Sequence, residues 1–143
     1  HWQVLEPRRR HLMAYFEWAD DMVIDNGVID ADHQQLVTLV NRLHTATSEG
    51  QGQEIVDQVL QEVLTYTIEH LRREESLMAS VNFPHLAGHK VGHQKFIERL
   101  DILRAQYESG SMTVASQLST VLRDWLSLHI RRDDKELRKF LKH

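Results

Sequence analysis

Cysteine is absent from the 143 residues, which removes disulfides, iron–sulfur ligation, cysteine zinc fingers and thiol catalysis at one stroke. No apolar run approaches the 18 residues of a membrane span, and no signal-peptide stretch is visible, so a cytoplasmic chain without membrane contact is expected. Basic side chains are outnumbered, 17 against 21 acidic ones, for a formal charge of −4. A duplex-binding protein would carry the opposite sign, so no nucleic-acid partner is expected. The doublets Arg72-Arg73 and Arg131-Arg132 read as solvated helix faces. Proline and glycine are scarce, at two and six residues, and leave few places for the chain to break. The length suits one domain that can bury a core without staples. An opening His1 in place of methionine reads as a domain taken from a longer sequence.

What the chain does have is helical periodicity. Residues 1–29 read as an irregular arm, with Pro7, the run Arg8-Arg9-Arg10 and an aromatic patch of Tyr15, Phe16 and Trp18. Asn26-Gly27 reads as a turn, and Asp30 as the N-cap of a first helix reaching about Ser48. Gly50 and Gly52 break it, and a second helix spans about Gln53 to Ser80. Pro84 suits the first turn of a third, which reaches Tyr107 and is closed by Gly110. A fourth runs from about Met112 to Arg132, with a short basic tail after it. Apolar residues recur at threes and fours: Leu36, Val40 and Leu43; Val56, Val59, Val63 and Leu77; Leu86, Phe96, Leu100, Leu103 and Tyr107; Leu118, Val121, Trp125 and Leu128. No strand-like alternation is visible. The fold expected is all-α, an antiparallel up-down four-helix bundle with an irregular N-terminal arm and a short C-terminal helix.

The ten histidines do not respect this pattern. His33 precedes Leu36 by three, His70 and Glu74 extend the Val56-Val59-Val63 stripe, His89 and His93 fill the gap between Leu86 and Phe96, and His129 follows Trp125 by four. Each helix thus aims at least one imidazole at the core. An unpaired buried polar group costs about 1–3 kcal/mol. For any one histidine a hydrogen-bonded structural role is the plain alternative, and Glu74 could pair with Arg73 while Glu75 turns inward. Five together are hard to satisfy mutually, because a neutral imidazole brings one donor and one acceptor. A metal satisfies them all.

Nitrogen ligands with carboxylates suit iron, zinc or copper better than calcium or magnesium. Asp133 and Asp134 are further candidate carboxylates. Five residues on from His129, Asp134 is turned about 140° around an ideal helix, so both reach one site only if the helix ends or distorts there. Five imidazoles and two bridging carboxylates would offer nine donor atoms, too many for one ion. With one bridging oxygen, two octahedral ions would be left a single open position for a small molecule.

These residues resemble the hemerythrin family, in particular bacterial hemerythrin-like domains. The family pattern is a lone early histidine, then H-x3-E-E, H-x3-H and H-x4-D. Here it reads as His33, as His70-Leu71-Arg72-Arg73-Glu74-Glu75, as His89 with His93, and as His129 with Asp134. Trp18, Leu36, Asn41, Met78, Phe83-Pro84 and Trp125 match as well, and the likeness covers about residues 18–135. It divides the chain into an arm or linker, 1–17, and a di-iron domain, 18–143. The resemblance implies reversible O2 binding, as a carrier or as the oxygen-sensing domain of a larger signalling protein, and not an enzyme. Its cofactors would be two iron ions with an oxo or hydroxo bridge. His89, His93 and His129 would hold one iron and His33 and His70 the other, with Glu74 and Asp134 bridging. O2 would take the open position on the two-histidine iron, in a pocket of Leu36, Leu71, Trp125 and Ile130, with azide and chloride as competitors. Leu71 stands where the family commonly has phenylalanine, and Asp32 where it has glutamine.

His85 could compete with His89, but it sits in a frayed first turn. His44 reads as a polar cap on the core, and His11 has no assigned role. A di-iron oxidase, peroxidase or iron-handling protein is the competing class. Ferritin-like members use two Glu-x-x-His motifs, and this chain contains none. A metal store or structural zinc bundle is a third reading.

Overall fold

The structure, a computed structural model, describes residues 15–111 and 113–141. Four helices carry the fold: α1 (Val28–Ser48), α2 (Gln53–Ser80), α3 (Leu86–Glu108) and α4 (Thr113–Leu128). Each packs on its neighbour in sequence and α4 closes on α1, the ring of an up-down bundle. The described residues contain no strand. Gly110 stands at φ +110° just past α3, a conformation open to glycine and strained for other residues, which is why the helix stops there.

Two helix starts differ from expectation. Asp30 is not an N-cap, because α1 already begins at Val28. Asn26, at φ +53°, folds the chain so that Asp25 lies over the helix start. There the Asp25 carboxylate accepts the N–H groups of Ile29 and Asp30 at 3.0 and 3.1 Å, satisfying donors that a helix start leaves orphaned. Asp30 turns back instead, accepting the N–H groups of Ile24 and Asn26, both at 2.8 Å. Pro84 lies in the turn before α3 rather than in its first turn, since the helix begins at Leu86. The run Arg8-Arg9-Arg10, His11 and all but the end of the arm fall outside the described residues.

Most of the anticipated stripe is core: Leu36, Val40, Leu43, Val63, Leu100 and Leu118 are buried. On α4 the stripe is shifted. Leu122 and Leu126 are fully buried while Leu128 is exposed, because the inward face runs Leu118, Leu122, Leu126 and then His129. Trp125 lies at the edge of that face, stacked on Phe96 with ring centres 3.8 Å apart. The end of the arm is clamped to α1 by Asn41, whose amide accepts from the Phe16 N–H (2.8 Å) and donates to its carbonyl (2.7 Å).

After Leu128 the helix does not simply stop. Residues His129–Asp133 form a π turn, and a 3-10 helix, Asp134–Phe140, follows as the short C-terminal helix. Leu137 from this segment packs with Ile24, Ile29, Met78 and Phe83 in a second small core. The tail is thereby held against the same end of the bundle as the histidines.

Candidate metal centre

The helices bring all seven candidate ligands together. His33 comes from α1, His70 and Glu74 from α2, His89 and His93 from α3, and His129 and Asp134 from the two ends of the π turn. They form two groups that share Glu74. His89, His93 and His129 surround it on one side, and His33, His70 and Asp134 on the other, with ligand atoms inside 4.8 Å of one another in each group. All are buried, His89 least: 8% of its side chain is exposed.

The shared carboxylate is split between the groups. Glu74 Oε1 lies 3.0 Å from His129 Nε2 and 3.3 Å from His93 Nε2. Its Oε2 lies 3.3 Å from His70 Nε2 and 3.5 Å from His33 Nε2. Asp134 repeats the division, with Oδ1 2.9 Å from His129 Nε2 and Oδ2 3.1 Å from His33 Nε2. The π turn makes this reach possible. In a regular helix a residue five positions on is turned about 140° away, whereas i→i+5 winding returns it toward the same side.

Carboxylates outside the two groups fix the imidazoles. His70 Nδ1 is 3.1 Å from Asp32 Oδ2, His93 Nδ1 is 2.8 Å from Glu75 Oε2, and His129 Nδ1 is 3.5 Å from Asp133 Oδ2. Asp32 is itself gripped by the Arg73 guanidinium, at 2.9 and 3.1 Å, and by the Tyr66 hydroxyl at 2.9 Å. Arg73 is exposed, as its doublet suggested, and from the surface it also holds Asp32. A proton held on Nδ1 by such a carboxylate turns the Nε2 lone pair inward, as metal-ligating histidines require.

Donor chemistry fits metal ions. Nε2 atoms face one another at 3.1 Å (His33 and His70) and 3.3 Å (His93 and His129), with carboxylate oxygens between them. His33 Nδ1, His89 Nδ1, Glu74 Oε2 and both Asp134 oxygens are buried with no hydrogen-bond partner. Lone pairs crowded this way repel unless cations lie among them. Ligand atoms at right angles around an ion with bonds of about 2.0–2.2 Å stand roughly 3 Å apart, which is the spacing found.

Where protons are the only cations, the electrostatics report the same demand. Burial pulls His33 down, but Asp134 and Glu74 outweigh it and hold the imidazole up at about 9. Burial likewise opposes charge on His129, and Asp134 and Glu74 lift it well above its ordinary value. Burial would raise Glu74, yet His129 and the other imidazoles keep its carboxyl well below the usual range. His89 goes the other way, lowered by burial.

Other expected positions are placed as follows. Leu36, Leu71 and Ile130 are fully buried in the main core. Trp125 stacks on His129 with ring centres 4.3 Å apart, so it packs against the three-histidine group. His85 is exposed, 3.9 Å from Glu136. His44 stacks on Tyr15 at the end of the arm, ring centres 3.7 Å apart. Sequence reading missed the orienting roles of Asp32, Glu75 and Asp133. The signal available was adjacency, for each is next to a proposed ligand in the chain.

No helix among the described residues is long and apolar enough to cross a membrane. The family model of the hemerythrin HHE cation binding domain matches residues 25–141. The chain is 37% identical to a bacteriohemerythrin of Stenotrophomonas maltophilia over 86% of its own length and 79% of that protein. It is 30% identical to a bacteriohemerythrin of Methylococcus capsulatus over 86% of this chain and 94% of that one. A hemerythrin-like protein of Naegleria gruberi is 29% identical over 88% and 93%. With the match spanning the bundle and both ligand groups, the chain belongs to the hemerythrin family and is a hemerythrin-type metal-binding domain.

Proposed function

We propose that this domain binds O2 reversibly at a non-haem di-iron centre, as an oxygen carrier or as the oxygen-sensing domain of a larger signalling protein. The observation that carries the reading is Glu74, buried, with one oxygen toward His93 and His129 and the other toward His33 and His70. One carboxylate divided between two sets of imidazoles suits two ions and not one.

His89, His93 and His129 would hold one iron, His33 and His70 the other, and Glu74 and Asp134 would span both, with an oxo or hydroxo bridge completing the pair. When bound, ferrous ions at such a centre supply the electrons that O2 needs to bind and that it returns on leaving. Asp32, Glu75 and Asp133 keep the Nδ1 protons of their imidazoles outward and the Nε2 lone pairs inward. Leu36, Leu71 and Ile130 exclude water from the interior, and Trp125 backs His129. Excluding water also slows anions such as azide or chloride that would compete with O2.

Metal analysis of protein from iron-replete cells, with absorption spectra under air and under argon, tests the proposal. Two irons per chain and a colour change that reverses with the gas are expected. A colourless zinc protein, or oxidation that argon does not reverse, would refute it.

A further inference from the structure

Beside the three-histidine group lies a cleft of about 370 Å³. His89, His93 and His129 line its inner part, and His85 and Glu136 line it from the surface, with side chains 65% and 57% exposed. His89 is the proposed ligand nearest solvent, at 8% exposure against 0–2% for the other six. Its buried Nδ1 has no hydrogen-bond partner. Three further clefts, of about 310–540 Å³, are lined by none of the seven.

Building on the metal-centre reading above, we propose that this cleft is the port through which a divalent cation enters and leaves the three-histidine side, with His85 and Glu136 as its outer capture pair. Its chemistry suits a cation. An imidazole and a carboxylate 3.9 Å apart could both turn onto one ion without backbone movement. Arg132, the one arginine or lysine lining the cleft, is paired with Asp133 at 3.1 Å. The volume is adequate as well: an ion with six waters needs about 180 Å³, at ~30 Å³ per water, so it can enter before shedding its shell. Besides the outer pair the cleft is lined by Asp133, already paired with Arg132, and by His89, a ligand whose Nδ1 is unpartnered.

Gly88 keeps the passage wide. It lines the cleft, and a Cβ added there meets nothing within 4 Å, so a larger side chain at this position fills the cleft rather than displacing a neighbour. Ala87, next to it in α3 but exposed and outside the cleft, is the matched control.

The test uses iron-loaded protein and follows release to excess ferrous chelator under argon, together with exchange of bound iron for isotopically labelled ferrous iron. Gly88→Leu should slow release about tenfold, the effect of ~1.4 kcal/mol of added barrier, while Ala87→Leu leaves it unchanged. His85→Ala combined with Glu136→Gln should slow exchange at low free iron without altering the iron content per chain. If Gly88→Leu does not fold, this surface pair decides the matter by itself. Variants that release and exchange iron at the parent's rate would overturn the port while leaving the proposed function standing. A parent chain that carries no iron would overturn both.

Discussion

His129 and Asp134 are five residues apart in the chain, yet His129 Nε2 and Asp134 Oδ1 lie 2.9 Å apart, because the five residues from His129 to Asp133 wind as a π turn. That local departure from helical geometry delivers the second shared carboxylate to the interior. Asp134 then reaches across to His33, from the opposite end of the sequence, at 3.1 Å.

The two shared carboxylates should behave differently from the histidines. His93→Ala should lower iron content toward one per chain, because His93 faces only the Glu74 Oε1 side. Glu74→Ala should deplete both irons, since each oxygen faces a different group. Metal analysis after gel filtration distinguishes the two outcomes, and equal loss in both variants would contradict the division.

Asp32→Asn should loosen the two-histidine side. The substitution removes the charge that orients His70 and leaves Arg73 without its bidentate partner. Loss of an outer carboxylate of this kind typically costs about 10–100-fold in metal affinity. Competition against a chelator of known affinity measures it, and Asp32→Glu should recover part of the loss.

Metal-free and metal-loaded protein should respond oppositely to pH. In the metal-free chain His33 is raised from 6.5 to about 9, so its stabilising charge is fully present below 6.5 and is lost as pH rises through 9. Glu74 is held below its ordinary 4.5, so its contribution is present above 4.5 and is lost as pH falls. These two groups therefore favour the metal-free fold most between about 4.5 and 6.5. Metal binding requires neutral imidazoles and expels their protons, so the stability added by iron should grow from pH 6.5 to 9. Tm measured with and without iron across that range should show a widening gap. A gap that narrows would mean that protons and iron do not compete for these imidazoles.

Leu71→Phe tests the apolar wall. Leu71 is fully buried, so the larger ring should cost about 1–3 kcal/mol through overpacking. It should also lengthen the period over which the air–argon colour change stays reversible at fixed azide, by closing the wall to anions. An unchanged or shorter period would remove the wall as a determinant of oxygenated lifetime.

Periodicity alone determined that this chain is a helical bundle with imidazoles and a carboxylate aimed inward. Spacings of three and four state which face of a helix a residue occupies, and a buried face must be satisfied whatever its neighbours are. His33, His70, Glu74, His89, His93 and His129 were legible for that reason. Asp134 was legible only as one of two adjacent aspartates, because its reach depends on a π turn that helical spacing does not encode. Periodicity is also silent about which oxygen of Glu74 faces which histidine, and about the pairing of Asp32 with His70, 38 residues away. On α4 it favoured Leu128 over Leu126, since the two patterns differ by half a turn and only packing against α1 and α3 chooses between them. Those matters were decided by the tertiary structure, because they depend on how separate helices are set against one another. Angular relations within a regular α-helix, by contrast, are already written in its spacing.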